Sequence, residues 1–229
     1  MWQSRTVRML GEKAVKALGS ASVAVFGLGG VGSYTVEALA RAGVGKLTLI
    51  DCDTVDESNI NRQLIALQNN VGEDKTEAAE KRVHAINPDC VVKTVKVFYA
   101  EDTQDCVDFT DFRYAADCID SVKSKLLIIK KALENNVYII SSMGTGNKID
   151  PAGLCISDIS KTCVCPLARV MRRELKNMGI THLPVLFSKE LPFETEGRVP
   201  GSISFVPSVA GLMIAGEIIR KITGITPKY

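Results

Sequence analysis

A chain of 229 residues, 46% hydrophobic and 24% charged, is long enough to bury roughly 70% of its unfolded surface in one α/β domain. A formal net charge of +2 excludes bulk attraction to a polyanion, so any nucleic-acid partner needs a local patch. Seven cysteines, odd in number and scattered from Cys52 to Cys165, exclude a disulfide scaffold and point to a reducing, cytoplasmic setting. The N-terminus lacks the apolar core of a signal peptide. The apolar stretch Val209 to Ile219 is short and carries Glu217, so no membrane span is expected.

Ser4 is placed to cap a first helix running through Val7, Leu10, Val15 and Leu18. Arg5 and Arg8 then lie near its start, unfavourably against the helix dipole, where they either face solvent or reach an anion elsewhere, such as one in a second subunit. The short β-branched run Ser22-Val23-Ala24-Val25 predicts a parallel strand buried on both faces. It leads through Phe26 into Gly27-Leu28-Gly29-Gly30-Val31-Gly32 and then a helix, with Val31, Val36, Leu39 and Ala40 at helical spacing and Gly43 at its stop. A strand, a glycine-rich turn and a helix in succession make a phosphate cradle. Glycines let the backbone approach a ligand, and the first N–H groups and dipole of the helix favour an anion. The second strand, Lys46 to Ile50, ends at Asp51, nineteen residues beyond Gly32, where a carboxylate can accept hydrogen bonds from ribose hydroxyls. These glycines with Asp51 suit NAD as well as ATP.

The polar segment from Asp51 to Gln63 has no periodicity. A helix follows from about Asp74 to Ile86, with Lys75 in its first turn and Asn87-Pro88 behind it. Next come a strand from Val91 to Val97, a strand at Tyr114 to Ala116 running into Asp117-Cys118-Ile119-Asp120, a helix from Lys123 to Asn135 and a strand at Tyr138 to Ile140. This alternation predicts an α/β fold, Rossmann-like, with a mostly parallel sheet and helices on both faces. Ligands belong at the carboxyl ends of such strands, where Asp51, Asp120 and Ser141-Ser142-Met143-Gly144 fall. After Gly144 the pattern changes to a strand from Leu154 to Asp158 and a basic helix from Pro166 to Met178. A Gly/Pro/Glu-rich stretch from Ser188 to Gly201, expected to be mobile, precedes a final apolar helix from Ser208 to Ile222. We read a single domain over 1–229, with a nucleotide-binding part at about 20–144 and a substrate-facing part at about 145–229.

Chemistry on ATP needs cations to stabilise negative charge and an acid to hold Mg²⁺; Arg62, Lys75 and Asp120 are the candidates, and no P-loop Gly-Lys-Ser/Thr is present. The glycine turn, Asp51-Cys52-Asp53, Ser58-Asn59-Ile60-Asn61-Arg62-Gln63, Lys75 and Asp117-Cys118-Ile119-Asp120 together resemble the adenylylating domain shared by ThiF, MoeB, HesA and the ubiquitin-activating enzymes. The resemblance implies that a carboxylate attacks the α-phosphate of ATP, giving an acyl adenylate and pyrophosphate. It implies Gly27, Gly29, Gly30 and Gly32 at the phosphates, Asp51 on the ribose, Asn59, Arg62 and Lys75 on phosphates, Asp120 on Mg²⁺, and Asp53 and Gln63 in the same site. It also implies a homodimer in which Arg5 or Arg8 crosses to the partner's site.

The second half resembles the branch of that family that acts on threonylcarbamoyladenosine in tRNA. The resemblance runs through Asp158-Ile159-Ser160-Lys161-Thr162, Pro166-Leu167-Ala168-Arg169, Arg172-Arg173-Glu174-Leu175 and Pro200-Gly201-Ser202-Ile203-Ser204-Phe205-Val206-Pro207. That branch adenylates the carboxylate of the threonylcarbamoyl group, which closes into a ring with net loss of water. One departure is Cys165, at a position associated with Asp there. On a helical wheel from Pro166, Arg169, Arg172, Arg173 and Lys176 share a face within about 100°, opposite Leu167, Val170, Met171, Leu175 and Met178. With Lys161 they are the candidate tRNA-binding stripe. Two other functions fit parts of the pattern. An adenylyltransferase for a ubiquitin-like sulfur carrier commonly holds zinc in two C-x-x-C pairs, whereas Cys163-Val164-Cys165 is a lone C-x-C, so no zinc is expected. An NAD-binding dehydrogenase or redox sensor leaves Arg62, Lys75 and Asp120 without a role. Cys163 and Cys165 are either reactive thiols, as in relatives that form a thioester from an acyl adenylate, or ordinary ones, which a C-x-C without a neighbouring histidine favours; His84 and His182 read as structural or solvated. A sulfur-relay or carrier-protein partner is left open.

Overall fold

The computed structural model of the protein describes residues 2–197 and 199–227. Its strands are β1 (Ser22–Phe26), β2 (Lys46–Asp51), β3 (Val91–Lys96), β4 (Tyr114–Asp117), β5 (Tyr138–Ser142), β6 (Leu154–Asp158) and β7 (Pro184–Ser188). They form one sheet in the order β3-β2-β1-β4-β5-β7-β6. All pairings are parallel except that of the edge strand β6, which runs antiparallel to β7. The chain therefore builds outward from β1 to β3, then resumes on the other side of β1 with β4. That reversal opens a crevice at the carboxyl ends of β1 and β4.

Alternation along the strands divides the interior in two. Val23, Val25, Leu47 and Leu49 face a layer of α3 (Gly32–Ala42), α4 (Lys75–Ile86) and α7 (Phe205–Thr223), represented by Leu39, Val83 and Ile214. Ala24, Phe26, Ala115 and Ile139 face α5 (Val122–Glu134) and α6 (Pro166–Asn177), through Ile128, Ile129, Met171 and Leu175. With both faces covered, the central strands are buried and mostly apolar, as parallel sheets require, with Thr48 in β2 and Asp117, Ser141 and Ser142 at the ends of β4 and β5 as buried polar residues. Phe26 anchors an aromatic cluster in the second layer, with Tyr99, Phe109 and Phe112 at centroid distances of 5.4, 5.7 and 6.3 Å.

Some boundaries differ from expectation. The first helix is two, α1 (Ser4–Leu10) and α2 (Glu12–Gly19), because Gly11 adopts φ +84°, a left-handed conformation that ends a helix. Ser4 does not cap it; Gln3 holds the N-cap position without a side-chain bond. Strand β7 is an addition to the expected elements: its fully buried run Val185-Leu186-Phe187 lies directly before the Gly/Pro/Glu-rich stretch and shows no alternation. The final helix starts at Phe205 rather than Ser208, since Pro207 is tolerated in a first turn whose N–H groups need no helical partner. In α6 the buried residues are Ala168, Met171 and Leu175, while Met178 is 40% exposed, so the apolar face is narrower than the wheel implied. Among the described residues, no helix is long and apolar enough to cross a membrane.

Candidate nucleotide-binding and adenylation site

The glycine turn is held at the crevice by main-chain bonds on both sides. Gly27 N–H donates to Ile50 O and Cys118 N–H donates to Phe26 O, each at 2.8 Å. A Cβ at Gly32 would lie 1.7 Å from Gly27 O, so only glycine lets the helix start this close to the strand end. Asp51 ties the turn further: its Oδ2 accepts from Leu28 N–H at 2.6 Å and its Oδ1 from Asp53 N–H at 2.8 Å. Each oxygen keeps a lone pair, so the carboxylate can brace the turn and still accept from a ribose.

The aperiodic segment after β2 is organised by side-chain caps. Asp56 Oδ1 accepts from Ser58 N–H at 2.8 Å, and Asn59 Oδ1 accepts from Asp56 N–H at 3.2 Å, around a short turn at Glu57–Asn59. This compact knot aims Arg62 and Gln63 at the glycine turn. Arg62 Nη1 donates to Ser58 O and Asn61 Oδ1, both at 2.8 Å. Gln63 is buried, and its Oε1 has no partner among the described residues. Lys75 opens α4, is 5% exposed, and places Nζ 2.8 Å from Asp53 Oδ2. That contact holds the Asp53 carboxyl below the usual carboxylate range. Burial, reinforced by Asp53, pushes the Cys52 thiol up to about 11. Cys52 belongs with Asp51 and Asp53 to a grouping that gathers possible metal ligands, and its Sγ–H donates to Asp53 Oδ1 at 3.3 Å.

Asp120 is exposed just past β4 and has no hydrogen-bond or ion-pair partner among the described residues. The turn that carries it rests on a buried ionic network absent from the sequence-based candidates. Asp117 and Lys125 are both 0% exposed, with Lys125 Nζ 2.9 Å from Asp117 Oδ2. Ser141 Oγ donates to the same Oδ2 at 2.6 Å, and Lys125 Nζ also donates to Ile119 O at 3.0 Å. The signal lay in periodicity. Lys125 shares the buried stripe of Ile128, Ile129 and Ala132 in α5, three, four and seven residues on, where a cation demands a partner.

Gly27, Gly29, Gly30, Asp51, Asp53, Asn59, Arg62, Gln63, Lys75 and Asp120 line one cleft of about 550 Å³; Gly32 sits behind the turn. Phe98 and Tyr99, which the sequence did not single out, also line it. Cys118 also lines it, but burial, aided by Asp117, pushes its thiol up to about 12, so it is no nucleophile. The remaining candidates stand apart. Lys161, Arg169, Arg173 and Lys176 are exposed around α6. Arg172 is turned inward, donating to Thr162 O at 2.8 Å and Thr162 Oγ1 at 2.6 Å. Arg5 and Arg8 are exposed on α1 and do not line the cleft. All seven cysteines are free, Cys163 exposed and Cys165 buried.

The sequence profile of the ThiF family matches residues 3–229. The chain belongs to the ThiF family. Among curated relatives, the tRNA threonylcarbamoyladenosine dehydratase of Bacillus subtilis (strain 168) is 40% identical over 94% of this chain and 92% of its own length. The Escherichia coli (strain K12) protein of the same name is 40% identical over 77% of this chain and 67% of its own. The crystal structure of the E. coli dehydratase with AMP superposes with a TM-score of 0.90 at 34% identity, covering 96% of this chain and 93% of that one; its complex with ATP gives 0.88. E. coli MccB, 17% identical with a TM-score of 0.72, shares the fold. The Rossmann-like architecture of this ThiF-family chain is thus that of a protein solved with adenine nucleotides, and the cleft at its glycine turn is where such a fold places them.

Proposed function

We propose that this chain is an ATP-dependent tRNA-modifying enzyme that adenylates the carboxylate of threonylcarbamoyladenosine and promotes its cyclisation. The observation that carries this reading is the single cleft in which a glycine turn, Arg62, Lys75 and Asp120 surround one space, on a chain alike over nearly its whole length to a dehydratase of that name. A carboxylate oxygen attacks the α-phosphorus, an O–P bond forms, and the bond to pyrophosphate breaks. Arg62 and Lys75 offset the charge that develops on the departing pyrophosphate. Lys75 has three donors and Asp53 uses one, which leaves two. A nucleophile within the threonylcarbamoyl group then displaces AMP and closes the ring; one carboxylate oxygen departs with AMP, so water is lost in net terms. The test is incubation with ATP and tRNA bearing threonylcarbamoyladenosine, followed by nucleoside mass analysis. The expected result is loss of one water per nucleoside with AMP and pyrophosphate formed in equal amount; an unchanged nucleoside defeats the reading.

Magnesium fits Asp120, an exposed carboxylate with uncommitted oxygens, better than it fits Asp51 or Asp53, which are bonded to the turn and to Lys75. When bound it supplies neutralisation of phosphate charge. Asp120→Asn should abolish turnover and its Mg²⁺ dependence together while the fold persists, because an amide is a poor ligand for this cation. A magnesium titration of pyrophosphate release checks it, and an unchanged dependence removes Asp120 from this role. No zinc is proposed.

The tRNA surface is placed on Lys161, Arg169, Arg173 and Lys176, in a cytoplasmic homodimer whose Arg5 or Arg8 reaches the second copy's site. Four neutralised phosphates give a slope of log affinity against log salt of roughly −3 to −4. Arg169→Ala/Arg173→Ala should make that slope shallower by nearly two while ATP binding is unchanged. The surface pair of Arg173 with Glu174 is weak opposition. Arg172 is left out of the pair because truncating it also removes its bonds to Thr162. An unaltered slope would place the tRNA elsewhere.

A further inference from the structure

A second cleft, of about 960 Å³, opens from the first. The two share seven residues, Arg62, Asp120, Thr145 and Ser202 among them, so whatever fills the second meets ATP beside the residues assigned to phosphate and metal. Beyond that junction the walls change character. Leu167, Leu191, Phe193 and Val199 line them, and Leu191, Phe193 and Val199 are 71, 56 and 83% exposed. An aromatic ring left uncovered inside a concavity, at one end of which a carboxylate must be presented, suits a flat ligand with an acidic substituent.

The stretch bearing Phe193, expected from its composition to be mobile, has no regular element among the described residues, yet one residue, Asn147, bonds to it at three positions, Phe193, Thr195 and Gly201. Asn147 O accepts from Phe193 N–H at 2.7 Å, and Asn147 Nδ2 donates to Thr195 Oγ1 at 3.1 Å. Asn147 Oδ1 accepts from Gly201 N–H at 2.5 Å, and Asn147 N–H donates to Gly201 O at 2.8 Å. Asn147 takes φ +56° to make these bonds, a conformation that asparagine tolerates better than most side chains. Glu190 anchors the near end, accepting from Ile149 N–H and Asp150 N–H, each at 3.0 Å. Asn61 Nδ2 donates to Ser202 O at 3.1 Å, linking the same stretch to the knot that carries Arg62. A strap fixed at this many points holds the main chain of Phe193 in place before any ligand arrives, which lowers the cost of ordering it.

We propose that the second cleft receives the extruded, carboxylate-bearing purine nucleoside, and that Phe193, positioned by Asn147, stacks on its base. The proposal rests on the tRNA-modifying reading and names the subsite which that reading needs. A base taken out of an RNA stack is held by aromatic faces in this way, and such stacking is tolerant of ring edge, so selectivity falls to the carboxylate presented where the two clefts meet.

Steady-state kinetics with tRNA bearing threonylcarbamoyladenosine separate the possibilities. Phe193→Ala should raise KM for the RNA about ten- to a hundred-fold with KM for ATP unchanged, and Phe193→Trp should restore it. An active wild type beside a Phe193→Ala variant with unaltered RNA KM overturns the proposal and leaves the adenylation reading standing. If instead Phe193→Ala converts a dimer to monomers in sedimentation, the apolar rim is an interface between copies of the chain and the proposal falls. A binding measurement does not depend on turnover. In a Trp2→Phe background, the indole fluorescence of Phe193→Trp should be quenched by the free nucleoside N6-threonylcarbamoyladenosine and not by threonine. Absence of quenching overturns the subsite even if the wild type proves inactive on tRNA, an outcome that would by itself count against the function.

Discussion

Replacing Lys125 by Met is expected to destabilise the protein by about 3–5 kcal/mol, because it strands the fully buried Asp117 carboxylate without its cation. For a chain of this size that loss lowers the thermal midpoint on the order of 10 °C. The magnitude comes from the unpaired charge and not from the intrinsic worth of the pair. Desolvation of two ions roughly cancels their attraction, and one ion left behind keeps the whole penalty. The double change Asp117→Asn/Lys125→Met should therefore be more stable than Lys125→Met alone, a non-additivity that a double-mutant cycle reads directly. Ser141→Ala removes one of the hydrogen bonds to Asp117 and should cost about 1.5–3 kcal/mol, as for a bond to a charged group. Lys125 also donates to Ile119 O, within the turn that presents Asp120, so activity should fall further than the folded fraction predicts. A Lys125→Met variant within about 1 kcal/mol of wild type would show that this network does not carry the turn.

Features fixed by local geometry were legible before the fold was known. The glycine turn, the strand end at Asp51 and the strand-helix alternation up to β5 follow from periodicity and from the close approach of a helix start to a strand end. What was hidden depends on residues far apart in sequence. Asp117, Lys125 and Ser141 come from a strand, a helix and another strand, and only their convergence shows why a lysine can occupy the apolar stripe of α5. Arg172 looked equivalent to Arg169 and Arg173 on a helical wheel. The turn at Ile159–Lys161, which the wheel does not contain, brings Thr162 within its reach. The break at Gly11 was missed for a different reason: Val7, Leu10, Val15 and Leu18 keep helical spacing across it, so the apolar pattern survives a kink that only φ reveals. Strand β7 pairs with β5 and β6, and a buried run of four or five apolar residues carries no periodicity of its own. The second cleft was beyond reach for the same reason, being built from loops after β5, before α6 and after β7.

Arg62→Ala and Lys75→Met are expected to impair the same step with different signatures. Charge-assisted hydrogen bonds contribute about 1.5–3 kcal/mol each, so losing one slows adenylation by roughly one to two decades, and by more where the contact strengthens as pyrophosphate departs. Arg62 donates to Ser58 O and Asn61 Oδ1 at a half-exposed position, so Arg62→Ala should leave stability nearly unchanged and act on kcat. Lys75 is buried against Asp53, and Lys75→Met should also alter the acid limb of the stability curve. The Asp53 carboxyl is held below its ordinary value chiefly by Lys75. A carboxyl depressed in the folded state contributes stability that is present above its unfolded value and is lost as pH falls through the folded value. Without Lys75 that contribution shrinks, and the variant should approach the wild type in stability toward acid pH while falling behind it near neutrality. The double variant should be less impaired than the product of the two singles, since both cations act on one leaving group. Pyrophosphate release in single turnover, with thermal melts across pH 3 to 7 as the second axis, tests all of this. Full activity in Arg62→Ala would remove it from the phosphate site, and an acid limb identical to wild type in Lys75→Met would show that its contact with Asp53 does not persist in solution.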